Sequence, residues 1–301
     1  MYLEWLQGCA TALVTPFTEH DAVDEARMRS LVDRQIGAGV RLLVPCGTTG
    51  ESATLSDEEQ RRVIALTLDV ARGRARVIAG AGGNATAATV ARARAAQTLG
   101  ADAILVVTPY YNKPTQAGLT AHFRAVAEAV PELPVVLYNV PGRTGSNIEA
   151  ATTLALARTV ANIVAVKEAS GNLAQVMTIL HGRPAGFRVF SGDDQLTLPL
   201  MALGAEGIIS VVSNEVPDLM ARLADLALRG DWDGARALHY RLLPLMDANF
   251  LESNPGPVKA AMAMLDLLEE RFRLPLVPVA DKTRARLREV LEKLDLAHVA
   301  A

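Results

Sequence analysis

The chain has 301 residues, half of them hydrophobic and 21% charged, with a formal net charge of -3. This composition gives no support to disordered, collagenous or fibrous classes and no basic footprint for nucleic acid, and the length suits one large barrel or two modest domains. The two cysteines, Cys9 and Cys46, cannot build a disulfide framework, and no stretch of ~18 residues is apolar throughout, so a cytoplasmic protein that is neither secreted nor membrane-bound is expected.

Short apolar, β-branched runs recur at 9–14, 41–45, 76–79, 103–107, 135–138, 163–166, 187–190 and 207–211. Between the early runs, segments 24–38, 57–72, 86–99 and 116–130 place apolar residues three and four apart, which is helical spacing. Strand followed by helix, repeated along the chain, is the pattern of parallel βα units, and near-continuous apolar strands fit a sheet buried on both faces. Eight units point to a (β/α)8 TIM barrel rather than an open doubly wound sheet. The strand signal ends near residue 230, and 232–246, 257–269 and 281–294 read as three further helices. The expected organisation is a barrel over 1–230 carrying the active site and a C-terminal helical region over 231–301.

Chemistry in such a barrel belongs at the C-terminal ends of the strands. Strand two runs into Gly47-Thr48-Thr49-Gly50-Glu51-Ser52, whose hydroxyls and amides suit a small carboxylate or oxyanion; a polar turn capping the next helix explains them equally well. Strand four ends at Tyr110 and Tyr111 and strand five at Tyr138, so three of the five tyrosines fall at adjacent strand ends. Strand seven ends in Asp193-Asp194, a pair that reads first as a cap for the following helix.

Strand six is the most informative. The 30 basic residues divide into 25 Arg and 5 Lys, and Lys167 stands at the mouth end of an apolar strand. A primary amine condenses with a ketone to an imine and then an enamine, which arginine does not do. A lysine that reaches solvent or pairs with Glu168 is the structural alternative. The other four lysines look ordinary, Lys259 among them. An imine-forming lysine needs a proton shuttle, for which Tyr138 is the natural candidate, with Thr48 and Tyr111 extending the relay. Arg143 suits a substrate carboxylate, although an exposed loop arginine is equally common. The loose G-x-G-x-x-A at 80–85 lacks the acidic residue of a dinucleotide site, and the five dispersed histidines give metal catalysis no foothold.

Together GTTGESATL (47–55), TPYYN (108–112), YNVPGRTG (138–145), VKEASGN (166–172), SGDD (191–194) and GIISV (207–211) resemble the class I pyruvate aldolases, the N-acetylneuraminate lyase family. The likeness runs in order from about residue 8 to Lys259. It implies a Schiff base between Lys167 and pyruvate, Tyr138 as proton donor and acceptor, Thr48 and Tyr111 in the relay, and no cofactor or metal. It also implies that Thr49 and Ile209 hold pyruvate. The threonine pair and Arg143 favour members that add aspartate semialdehyde, whose carboxylate Arg143 would hold, giving a product for diaminopimelate and lysine synthesis. Other pyruvate lyases, acting on a sugar acid or a hydroxyproline-derived keto acid, are the enzyme alternative; an idle barrel that senses a small molecule is the alternative of another class. The family further implies a homo-oligomer, dimer or tetramer, in which Tyr111 reaches a neighbouring subunit's site. Lysine-inhibited members carry an acidic residue where Ala88 stands, so lysine feedback is expected to be weak or absent; half-inhibition at submillimolar lysine would overturn this.

Overall fold

The computed structural model describes residues 3–296. Eight parallel strands close into a barrel in chain order: β1 (Gly8–Ala12), β2 (Leu42–Val44), β3 (Arg76–Gly80), β4 (Ala103–Val107), β5 (Val135–Asn139), β6 (Ile163–Glu168), β7 (Arg188–Ser191) and β8 (Gly207–Ser210). The helices α1 (Glu25–Gly37), α2 (Asp57–Ala71), α3 (Thr86–Leu99), α4 (Gln116–Glu128), the short α5 (Pro141–Thr144), α6 (Ala150–Thr159), α7 (Leu173–Gly182), α8 (Thr197–Ala202) and α9 (Pro217–Leu228) lie between or after them.

The expected (β/α)8 architecture is present, and its strands read as continuous apolar runs for a physical reason. One face of each strand meets the barrel interior and the other meets the helices, so β5 and β6 are buried at every position. Ala10, Leu42, Ile78, Leu105, Val136, Phe190 and Ile209 fill the interior, while a separate cluster joins the outer strand faces to α1–α4, α6 and α7. The glycines of the loose G-x-G-x-x-A serve packing: a Cβ on Gly80 would fall 2.0 Å from the Cys46 carbonyl oxygen, and one on Gly82 2.4 Å from the Val107 nitrogen.

Helix starts follow their capping chemistry. Asp24 accepts from the Arg27 N–H ahead of α1, and Ser56 and Glu59 form a reciprocal capping box on α2. After α9 come α10 (Trp232–Ala248), α11 (Gly256–Met264) and α12 (Asp281–Lys293). Helix α11 is shorter than the apolar spacing over 257–269 predicts, because the chain turns at Asp266, which takes a left-handed φ of 54°. Apolar residues of α9 to α12 form one cluster with Cys9 of β1 and Ile208 of β8, so the C-terminal helices pack on the barrel. Among the described residues no helix is long and apolar enough to cross a membrane.

Candidate active site

Strand register sets the first contact. Tyr138 of β5 pairs with Lys167 of β6, and Asn139 with Glu168. Registered neighbours in a parallel sheet face the same side, and here Tyr138 and Lys167 face the barrel interior. Lys167 is 5% exposed, and its Nζ lies 4.3 Å from the centroid of the Tyr138 ring. No hydrogen bond or ion pair holds Lys167 among the described residues.

Glu168 faces the opposite side of β6. Its carboxylate accepts from Asn139 Nδ2 at 3.1 and 3.2 Å, from Gln175 Nε2 at 3.1 Å and from the Ser170 N–H at 2.9 Å. Those donors leave it satisfied where it is, and the Lys167–Glu168 pair considered from the sequence does not form. Gly192, at the end of β7, keeps the lysine's space open: a Cβ there would stand 2.9 Å from Lys167 Cε and 2.7 Å from Ala169 Cβ.

A pocket of about 100 Å3 opens above the amine, lined by Thr48, Thr49, Tyr138, Arg143, Lys167 and Asp193 together with Phe250 and Asn254. Thr48, Val140, Arg143 and Asn254 also border a neighbouring cavity of about 370 Å3 that extends to Tyr110. A cavity of about 460 Å3 lies at the opposite end of the barrel, between Trp5, Arg41 and Arg76. Its size does not make it the reaction site, since it lies at the strand N-termini and none of the predicted residues reaches it.

Five of the seven predicted site residues line the small pocket: Lys167, Tyr138, Thr48, Thr49 and Arg143. Arg143 projects from α5, exposed, and no carboxylate pairs with it among the described residues, which leaves its fork open to a ligand. Ile209 is buried in the barrel interior with Tyr138 and Phe190, below the pocket-lining Val211. Tyr111 stands apart: it is 89% exposed and left-handed at φ 72°, with its backbone N–H bonded to the Thr144 carbonyl at 3.2 Å. A single chain therefore does not bring Tyr111 to Tyr138.

Two readings of the sequence require correction. Asp194 does not cap α8, which has no side-chain cap; its buried carboxylate accepts from the Ser210 hydroxyl and from the Val211 and Val212 N–H groups at 2.9 and 3.2 Å. It thereby fixes the turn after β8 beside the pocket. Its neighbour Asp193 lines the pocket, and burial pushes that carboxyl above its ordinary range against hydrogen bonds from the Gln195 and Leu196 backbone.

Lys259 is the second correction. It is fully buried, with Nζ 2.6 Å from Glu51 Oε1 and 3.0 Å from the Thr15 carbonyl oxygen, between the rings of Phe17 and Phe272. Burial pushes the Lys259 ammonium down and the Glu51 carboxyl up, and their mutual attraction opposes both shifts. The pair fastens α11 to the loop that carries Thr48 and Thr49. Phe250 and Asn254 were also missed, because in the sequence they belong to a Pro- and Gly-rich turn more than 200 positions from the threonines they approach.

Among the described residues no group of three His, Cys, Asp or Glu side chains is arranged to hold a metal ion. The site presents an amine, hydroxyls and a guanidinium, a set suited to carbonyl condensation with an anionic substrate.

A profile of the dihydrodipicolinate synthetase family matches residues 5–294. The 4-hydroxy-tetrahydrodipicolinate synthase of Koribacter versatilis (strain Ellin345) is 54% identical over 286 residues, covering 95% of this chain and 95% of the relative. The crystal structure of dihydrodipicolinate synthase from Aquifex aeolicus superposes with a TM-score of 0.95 at 46% identity, covering 97% of this chain and 99% of that one. A protein described as the first monomeric dihydrodipicolinate synthase variant superposes at 0.94 with 41% identity, over 96% of this chain and 97% of that one. With the family profile matched over 5–294, a relative 54% identical over nearly its full length and a solved member superposing at a TM-score of 0.95, this protein belongs to the dihydrodipicolinate synthetase family.

Proposed function

We propose that the chain is a 4-hydroxy-tetrahydrodipicolinate synthase that joins pyruvate to aspartate semialdehyde through an imine on Lys167. The observation that carries this reading is a buried lysine, without an ionic partner among the described residues, against the ring of Tyr138 in a pocket bordered by hydroxyls and a guanidinium. The Lys167 amine attacks the pyruvate ketone to form a carbinolamine. Tyr138 supplies the proton with which the hydroxyl leaves as water, and Thr48 returns protons along the relay. Loss of a methyl proton from the imine gives an enamine, whose carbon attacks the aldehyde. The new carbon–carbon bond restores the imine, and attack by the product's own amino group on the imine carbon closes the ring and releases Lys167.

Thr49 and Ile209 hold the pyruvate end, and Arg143 clamps the carboxylate of aspartate semialdehyde. Tyr111 completes the relay of a neighbouring protomer in a dimer or tetramer; its outward, left-handed placement supports this. The exposed Leu274 and Val277 flank the same rim, where Pro275 and Leu276 border the cavity shared with Tyr110. Lysine feedback is weak: Ala88 offers no carboxylate to an ammonium, and the nearby Arg92 bears a positive charge committed to Asp57.

The direct test is incubation with pyruvate and aspartate semialdehyde. Formation of 4-hydroxy-tetrahydrodipicolinate is the expected result, and its absence from enzyme that still binds pyruvate covalently would assign the chain to another aldehyde.

A further inference from the structure

Phe250 and Asn254 are the two pocket-lining residues that follow α10 rather than a barrel strand. Asn254 is 5% exposed; its Nδ2 donates to Thr49 Oγ1 at 3.0 Å, and its Oδ1 has no partner among the described residues. The amide orientation has a physical basis. As placed, the nitrogen is paired and the oxygen is the atom left without a partner, and a buried orphaned N–H is rarer than an under-satisfied carbonyl oxygen.

The consequence falls on Thr49. A threonine hydroxyl both donates one hydrogen bond and accepts others. With Asn254 donating to its oxygen, the hydroxyl proton is directed to a different partner, and the pocket is the space the two residues share. A second tie keeps this arrangement in register: Lys259, five residues after Asn254, pairs with Glu51, two residues after Thr49. Glu51 itself is left-handed at φ 53°, a conformation that costs a residue with a Cβ energy and that the buried pair retains.

We infer that Asn254 is a positioning residue for Thr49, committing its hydroxyl as a donor to the carboxylate of the keto acid, so that the C-terminal helical region helps to specify the first substrate. This rests on the reading that Thr49 holds pyruvate.

Steady-state kinetics of Asn254→Ala, Asn254→Asp, Thr49→Val and the double variant Thr49→Val/Asn254→Ala test it. Asn254→Ala should raise the KM for pyruvate about tenfold, with kcat and the KM for aspartate semialdehyde within about threefold of wild type. The nearly isosteric Asn254→Asp should raise it about a hundredfold, because its carboxylate takes the Thr49 proton and repels the keto acid. In the Thr49→Val background Asn254→Ala should have no further effect on that KM. A fall in kcat with both KM values unchanged, the signature of lost folded enzyme alone, would overturn the inference, as would additive effects in the double variant. If Asn254→Ala yields no folded protein, Asn254→Asp carries the same reading by itself. Borohydride trapping of pyruvate on the wild-type enzyme separates the two claims: an adduct with an unaltered pyruvate KM in the Asn254 variants refutes the role of Asn254, whereas no adduct refutes the proposed function.

Discussion

The placement of Lys167 and Tyr138 side by side at one strand-end pocket was readable at the level of single residues, because each stands at the end of an adjacent apolar run. An amine near the end of a strand buried at every position is costly to bury, and no counter-ion among the described residues offsets that cost. Lys167→Arg preserves the charge and removes imine chemistry, so kcat should fall by about 10^4-fold or more with the fold intact, as followed by circular dichroism and turnover. Lys259 escaped the same reading. Its partner Glu51 lies 208 positions away, and nothing local to α11 distinguishes a buried lysine from a solvated one. His122 shows a similar limit and has a consequence for pH. It is buried on α4, with Nδ1 2.9 Å from the Thr86 hydroxyl, and burial pushes its pKa down from 6.5 to about 4. Below pH 6.5 the unfolded chain takes up a proton that the folded chain refuses, so the stability associated with neutral His122 is complete above 6.5 and is lost as pH falls toward about 4. Urea unfolding across that range should show a shallower acid decline for His122→Gln than for wild type; equal slopes would remove His122 from the account.

The connection between α11 and the turn after β2 is the part of the site that periodicity could not reveal. Hydrophobic spacing located the strands and most helices because burial of an apolar face has a period. The Glu51–Lys259 and Thr49–Asn254 bonds are single long-range contacts and leave no period in the sequence. The end of α11 was misplaced for a related reason: apolar residues continue past Met264, but they belong to a turn at Asp266 and not to another helical turn. Both members of the Glu51–Lys259 pair are fully buried, so Lys259→Met, which leaves Glu51 without its counter-ion, should destabilise by about 3–5 kcal/mol in urea titration. Replacing both, as Glu51→Gln with Lys259→Met, should cost less than the single change. A single variant as stable as wild type would show that the pair does not hold the loop. Asp194 does comparable work at the other side of the mouth, where its hydrogen bonds to Ser210, Val211 and Val212 fix the turn after β8.

For the molecule as a whole, the barrel was legible from eight apolar runs, since closure needs only the number and direction of the strands. How copies associate was not legible, because an exposed apolar side chain and a core one are the same letter. The outward Tyr111 gives that question a measurable form. If Tyr111 serves a neighbour's relay, the inactive Lys167→Ala and Tyr111→Phe proteins should regain activity when unfolded and refolded together. Each mixed dimer would then hold one intact site and one carrying both changes, giving about a quarter of wild-type turnover for random pairing. No recovery from subunits shown to have mixed would exclude Tyr111 from a neighbour's relay. The most direct measurement remains the covalent one. After incubation with pyruvate and borohydride, peptide mass spectrometry should find one reduced pyruvyl adduct, on Lys167, and none in Lys167→Ala; an adduct on another lysine, or no adduct in active enzyme, would contradict the imine mechanism.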